Sequence, residues 1–129
     1  MGHPKPALDA SRAHQYATAT IPEIVEDLID LFGAPQAASM VQVDTSNLYR
    51  WRSGAKAPRP IKERNLRTAA HTCGLLASFP RDTVRSWFLT PNQLLDYATP
   101  SEALADNGRD VLRAAESFAS SAATTRKVG

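Results

Sequence analysis

The chain of 129 residues has a single cysteine, Cys73, and aromatic residues make up only 7% of it. One cysteine excludes an internal disulfide and is typical of proteins from a reducing compartment. No apolar run approaches the ~18–20 residues of a membrane span, and the amino terminus carries no apolar segment typical of a secretory signal. We therefore expect a cytoplasmic protein with no membrane partner.

Residues that could support catalysis or bind a metal are also sparse. His71 and Cys73 are two positions apart, which on a helix directs them to different faces, and no further Cys or His clusters with them. Apolar neighbours would raise the thiol pKa of Cys73 and keep it unreactive. Glu26, Asp27 and Asp30, at helical spacing, are interpreted as a solvated face rather than as catalytic carboxylates. The sequence contains no glycine-rich phosphate loop, so it predicts no enzyme, no metal and no cofactor.

Residues typical of helix starts and helix ends recur along most of the remaining chain. Thr20 is typical of a helix N-cap, Pro22 of a first helical turn and Gly33 of a helix end. Later helix starts are indicated at Pro35, Asp44, Ile61, Asp82, Thr90 and Thr99, the last with a capping box to Glu102, and a final apolar face at Val111, Leu112, Ala115 and Phe118. There is no strand signal of any strength. The sequence predicts an all-α fold, a helix-turn-helix bundle followed by a small helical carboxy-terminal domain.

The expected organisation has four parts. We predict a disordered arm over residues 1–19, a DNA-binding region over 20–59, a helical domain over 60–119 that begins with a connecting helix, and a flexible Ser/Ala/Thr-rich tail over 120–129. Both tryptophans, Trp51 and Trp87, occupy apolar faces and are expected in the core.

A helix-turn-helix pattern is carried by residues 37–53, AASMVQVDTSNLYRWRS. Ala38 is small enough for two helices to cross closely, and Val43 fills the turn. Leu48 and Trp51, three residues apart, anchor the second helix. The side chains left on its outer face are short hydrogen-bonding groups and an arginine, which suit base edges in a DNA major groove.

Basic residues continue beyond this pattern. Between Arg50 and Arg67 there are seven of them against one acid, Glu63. They are Arg50, Arg52, Lys56, Arg59, Lys62, Arg64 and Arg67. A charge run alone is more often a solvated loop, but one that adjoins a recognition helix is typical of a phosphate-contacting face.

These patterns predict an interface for double-stranded operator DNA. The expected DNA-binding residues are Thr45, Ser46, Asn47, Tyr49, Arg50, Arg52, Ser53, Lys56, Arg59 and Lys62. The first five would read bases, and Lys56, Arg59 and Lys62 would reach flanking phosphates.

The carboxy-terminal half resembles the toxin-binding domain of Xre/MbcA/ParS-type antitoxins. The resemblance is carried by WFLTPNQLLDYATPSEALADNGRDVLRAA, residues 87–115, and by matches at Trp87, Pro91, Asn92, Leu94, Thr99, Pro100, Leu104, Gly108, Val111 and Leu112. A helix-turn-helix precedes this domain in the family, so the resemblance covers roughly residues 21–118. It implies a DNA-binding antitoxin whose partner is a RES-domain toxin.

The chain departs from the family pattern in three places. Asp96, Tyr97 and Ala98 stand where the family often has a glycine-containing turn. The chain continues for about a helix's length after the last helix, where the family usually stops. Gln42 stands at the turn of the helix-turn-helix, where glycine is common.

Three functions fit these observations. The first is an autoregulating repressor that is also the antitoxin of a toxin-antitoxin pair. The second is a phage-type immunity repressor without a toxin, whose carboxy-terminal domain forms a homodimer or adds DNA contacts. The third is a protein-interaction module with a degenerate helix-turn-helix.

Overall fold

The computed structural model describes Tyr16 and residues 18–128, of which residues 123–128 are described as backbone only. The described part is all-helical without a strand, which confirms the predicted fold class. Its helices are α1 (Ile21–Phe32), α2 (Ala34–Val41), α3 (Thr45–Ser53), α4 (Pro60–Leu75), α5 (Arg81–Leu89), α6 (Pro100–Ala103) and α7 (Gly108–Val128), with a 3-10 turn (Gln93–Leu95) between α5 and α6.

The start of α1 follows the sequence signal closely. The hydroxyl of Thr20 accepts a hydrogen bond from the Glu23 N–H at 3.3 Å, and the Glu23 carboxylate accepts one from the Thr20 N–H at 2.9 Å. This reciprocal capping box satisfies two of the four N–H groups that a helix start leaves unpaired. Gly33 ends α1 with φ of 83°, a conformation that favours glycine.

Asp27 corrects the interpretation of the α1 acids as a solvated face. Asp27 is only 4% exposed, because positions 24, 27, 28 and 31 share the buried side of the helix. Burial and the nearby Asp27 charge both raise the pKa of the Cys73 thiol, burial being the larger cause. Cys73 is therefore a buried, protonated core residue.

One hydrophobic core joins the amino-terminal and carboxy-terminal helices. The Phe88 ring, fully buried in α5, packs edge-on against Phe32 of α1 with centroids 5.0 Å apart. Two α5 guanidinium groups also donate to the carboxyl end of α1, from Arg81 to the Asp30 carbonyl at 2.6 Å and from Arg85 to the Leu31 carbonyl at 3.1 Å. Cations there interact favourably with the helix dipole. The helix-turn-helix is thus held on the carboxy-terminal helices by packing and by polar contacts.

Several helix ends differ from the sequence prediction. The fourth helix ends at Leu75 rather than near Phe79. Thr90 does not cap a new helix, because its hydroxyl donates to the Ser86 carbonyl at the end of α5. Asn92 caps the 3-10 turn instead, with its side-chain oxygen 2.9 Å from the Leu94 nitrogen. The capping box from Thr99 to Glu102 is confirmed.

The last helix extends to Val128 instead of ending near residue 120. Alanine is the strongest helix former, and the segment contains no proline or glycine before Gly129. Its serines and threonines, which indicated a flexible tail, do not interrupt the helix. Of the predicted arm, residues 1–15 and 17 lie outside the described residues.

Candidate nucleic-acid interface

The two helices of the predicted helix-turn-helix are α2 and α3, and a tight turn joins them. Ala38 and Val41 of α2 are buried, as are Leu48 and Trp51 of α3. Gln42, at the turn, adopts the left-handed conformation with φ of 60° and ψ of 54°. That conformation costs a residue other than glycine about 1–2 kcal/mol of conformational free energy. The turn therefore keeps a glycine-type geometry although glycine itself is absent.

The amino terminus of α3 lies immediately after this turn. Asp44 occupies the predicted N-cap position, and its carbonyl accepts from the Asn47 and Leu48 nitrogens at 3.1 and 3.2 Å. Its carboxylate makes no capping hydrogen bond. Asp44 therefore marks the start of the helix, but its side chain leaves the first N–H groups of α3 open to a ligand such as a phosphate.

The outer side of α3 presents most of the predicted base-reading side chains to solvent. Those exposed are Thr45, Ser46, Tyr49, Arg50, Arg52 and Ser53, while Asn47 is half-buried. The Arg50 guanidinium makes no hydrogen bond or ion pair with any residue of the described chain. It is the arginine on this face that can bind an external acceptor without breaking an internal contact.

Arg52 is held differently from Arg50. Its guanidinium lies 3.7 Å from the Glu26 carboxylate and 4.9 Å from the centre of the Tyr49 ring. Both contacts are at the surface, where an ion pair contributes only ~0–1 kcal/mol. Arg52 and Tyr49 thus form one stacked unit beside α1, and DNA would compete with Glu26 for the arginine.

The loop after α3 folds back onto that helix. The Ser53 hydroxyl donates to the Arg50 carbonyl at 3.1 Å, and the Lys56 backbone nitrogen donates to the same carbonyl at 3.3 Å. Gly54 has φ of 82° and closes the helix end. Ser53 stays a predicted DNA contact, and its exposed hydroxyl also helps to terminate α3.

The structure brings a predicted base-reading residue and a predicted phosphate-binding residue together. The Lys56 ammonium donates to the Asn47 side-chain oxygen at 3.3 Å. This contact orients the amide, and it places a positive charge beside the outer side of α3. A pocket of about 290 Å³ opens there, lined by Asn47, Lys56, Arg59, Lys62 and Trp51 among others. The Asn47 amide and the cationic groups of Lys56 and Arg59 suit a phosphate oxyanion.

Lys62 has a structural contact that the sequence interpretation missed. Its ammonium donates to the carbonyls of Val41 and Gln42 at 3.0 and 3.1 Å. These carbonyls lie at the end of α2, where a helix leaves acceptors without partners. Lys62 therefore fastens α4 to the turn of the helix-turn-helix. The signal available in the sequence was the lack of any basic residue in α2 to serve those carbonyls.

Arg67, a member of the predicted basic cluster, also holds the segment before α1 against α4. Its guanidinium donates to the carbonyls of Tyr16 and Ala19 at 2.8 and 2.9 Å and pairs with Glu63 at 3.0 Å. The Tyr16 ring stacks on His71 with centroids 4.1 Å apart. Burial lowers the pKa of His71, and the charge of Glu116 partly opposes that shift. The end of the predicted arm is therefore packed against α4.

Two other classes of site are absent from the described residues. Across Tyr16 and residues 18–128, no three His, Cys, Asp or Glu side chains come together where a metal ion could be held. None of the helices in this part of the chain has the length and apolar content needed to cross a membrane.

Comparison with known proteins adds one similarity. The mycobacterial cidal antitoxin MbcA of Mycobacterium tuberculosis (strain ATCC 25618 / H37Rv) and that of Mycobacterium bovis (strain ATCC BAA-935 / AF2122/97) are each 26% identical to the chain over 72 residues. This chain is similar to an antitoxin. The aligned part covers 55% of this chain and 64% of each relative, which is less than two thirds of their length.

The similarity points to the antitoxins as distant relatives of this chain, in agreement with the resemblance in the carboxy-terminal half. No protein-family profile matches the chain. No solved structure matches it either.

Proposed function

We propose that the protein is a transcriptional repressor that binds double-stranded DNA sequence-specifically. We propose further that it is the autoregulating antitoxin of a toxin-antitoxin pair. The observation that carries DNA binding is the outer face of α3, where Arg50 has no hydrogen-bond or ion-pair partner among the described residues and Asn47 is oriented by Lys56. The similarity to MbcA supports the antitoxin role. We expect no enzymatic activity, and a RES-domain toxin is the partner that the family resemblance implies.

Base readout is assigned to the exposed α3 residues and to Asn47. An arginine can bond guanine through two hydrogen bonds, and an asparagine can bond adenine in the same way. Thr45 and Ser46 lie in the first turn of α3, which approaches base edges in helix-turn-helix proteins. Lys56 and Arg59 line the pocket beside Asn47, which supports a role for both in phosphate contacts.

The double variant Lys56→Gln/Arg59→Gln is expected to weaken binding to all DNA sequences to a similar degree. Each lost phosphate contact should reduce the slope of log K against log salt by about one, so the pair should reduce it by about two. The measurement is the affinity for operator and random DNA between 50 and 200 mM salt, the range in which ~6–10 phosphate contacts change affinity by about 10³–10⁵.

Lys62→Gln is the matched control for this experiment. Its ammonium is engaged with the α2 carbonyls, so we expect a lower thermal stability and a nearly unchanged salt slope. If Lys62→Gln flattens the slope and the double variant does not, the phosphate-binding residues are assigned wrongly.

A phage-type immunity repressor is the second candidate function. It is favoured by the exposed arginines Arg109 and Arg113 on α7, which could add DNA contacts without any toxin. The side chain of Arg113 is 70% exposed. Its guanidinium lies 3.9 Å from the Asp110 carboxylate, which makes a weak surface ion pair. The two functions therefore assign different partners to one helix face.

Arg113→Glu is expected to abolish toxin neutralisation and to leave operator affinity unchanged. The reversed charge would repel an acidic partner surface, whereas the DNA-reading face lies on α3. The measurements are growth rescue of cells that express a RES-domain toxin encoded beside the gene, and operator affinity of the same variant. Arg113→Lys, which keeps the charge, is the control. A loss of operator affinity with Arg113→Glu would favour the immunity repressor instead.

A further inference from the structure

A cleft of about 360 Å³ lies between α4 and the start of α7, away from the residues assigned to base readout. Arg64, Asn65 and Thr68 line it from α4, and Gly108 and Arg109 line it from α7. The volume is within the ~300–1,000 Å³ typical of pockets for small molecules.

Asn65 is the amide that lines this cleft. The residue is only 5% exposed, and its side chain makes no hydrogen bond with any residue in the described part of the chain. Its polar atoms are not fully buried, because they are not among the fully buried side-chain atoms that lack a hydrogen bond in the described residues. The Asn65 amide is therefore open to the cleft and can bond a molecule that enters it.

The charges and dipoles around Asn65 favour an anion. Arg64 and Arg109 line the cleft, and neither pairs with a carboxylate of the described residues. The amino terminus of α7 also faces this cleft. The first backbone N–H of α7 that has a partner within the helix is that of Val111, which donates to the Asn107 carbonyl at 3.0 Å. The N–H groups before it are unpaired within the helix and suit an oxyanion.

Gly108 allows α7 to begin this close to α4. A Cβ atom at that position would lie 3.1 Å from the Thr68 methyl carbon, tighter than ordinary contacts. The glycine thus lets the helix end approach the Thr68 side chain, which can offer its hydroxyl to the same ligand. Asp106 also lines the cleft and would accept a hydrogen bond from a second part of that ligand.

We propose that this cleft binds a small-molecule oxyanion, the phosphoryl or carboxylate group of a metabolite that also carries a hydroxyl or amino donor for Asp106. Arg64 and Arg109 bind the anionic group, and the Asn65 amide and the α7 amino terminus complete its hydrogen bonds. The cleft shares Arg109 with the α7 face considered for the immunity repressor, but the anion proposal does not depend on that function or on a toxin.

The test is a titration of the ¹⁵N-labelled full chain with inorganic phosphate, and separately with malonate, at constant ionic strength. We expect saturable shifts of the Asn65 side-chain amide and of the Gly108 and Arg109 N–H signals with one of these probes, which also identifies the anion class. In Arg64→Gln/Arg109→Gln the dissociation constant should rise at least about tenfold, equivalent to ~1.4 kcal/mol. Arg113→Gln, on the same helix but outside the cleft, should bind like the wild type.

Non-saturating shifts with both probes, or equal affinities in all three proteins, would overturn the proposal. A DNA duplex serves as the competing ligand. If DNA moves the same signals while neither small anion saturates them, the cleft belongs to a nucleic-acid interface and the small-molecule assignment is wrong. Both replaced arginines are exposed, so the rest of the spectrum should stay unchanged and report an intact fold.

Discussion

Replacing Phe88 with alanine is expected to lower the free energy of unfolding by about 3–5 kcal/mol. The Phe88 ring is fully buried and contacts Phe32 of α1 and Trp87 of its own helix, with centroids 5.0 and 5.1 Å away. Removing it leaves a cavity between the helix-turn-helix and the carboxy-terminal helices. For a protein whose total stability is ~5–15 kcal/mol, this loss is large.

Chemical denaturation followed by circular dichroism and by tryptophan fluorescence measures this effect. Because one core joins the two halves, we expect a single transition at a lower denaturant concentration by both methods. Leu89→Ala is the matched control, since the neighbouring Leu89 is 56% exposed and its loss should change stability by no more than ~0.5 kcal/mol. Two separate transitions, or equal effects of the two variants, would contradict the shared core.

The second large effect concerns base readout. Arg50→Ala and Asn47→Ala are each expected to lower the discrimination between operator and random DNA by ~1–3 kcal/mol, because each removes a side chain that can bond a base edge twice. Affinity for random DNA should fall less. Asn47→Ala also releases Lys56 from its 3.3 Å contact, so this variant should show a small additional change in phosphate binding.

Arg52→Ala provides the comparison on the same helix. Its guanidinium is already placed beside Glu26 and Tyr49, so we expect a smaller loss of discrimination than for Arg50→Ala. The measurement is the ratio of operator to random-DNA affinity for the three variants at one salt concentration. Wild-type ratios for both Arg50→Ala and Asn47→Ala would show that this face of α3 does not read bases.

The sequence predicted the apolar framework of the helix-turn-helix well. Leu48 and Trp51 are buried and Arg50 is exposed, because helical periodicity alone separates these positions. The sequence did not predict the contacts in which a polar side chain binds the end of a helix that is distant along the chain. Lys62 binds carbonyls of α2 twenty or more positions earlier, and that pairing depends on how α4 packs, which no local pattern encodes.

Local conformation shows the same division in the carboxy-terminal half. The capping box of Thr99 follows from short-range geometry and is confirmed. The segment before it contains Asp96 and Tyr97 with φ of 53° and 68°, at the place where the resembling family often has a glycine-containing turn. The tertiary fold imposes that backbone on Tyr97, a bulky residue that disfavours it, so propensity could not predict it. The assignment of Asn65 to a ligand likewise required the packing of α4 against α7.

A footprint of the purified protein on the promoter region of its own gene tests the proposed repressor function most directly. We expect protection of a discrete site at low salt, lost in Arg50→Ala under the same conditions. If the protein is a homodimer, the site should contain two half-sites separated by about 34–36 Å, one turn of DNA. Uniform weak protection of all sequences, unchanged by Arg50→Ala, would contradict sequence-specific recognition through α3.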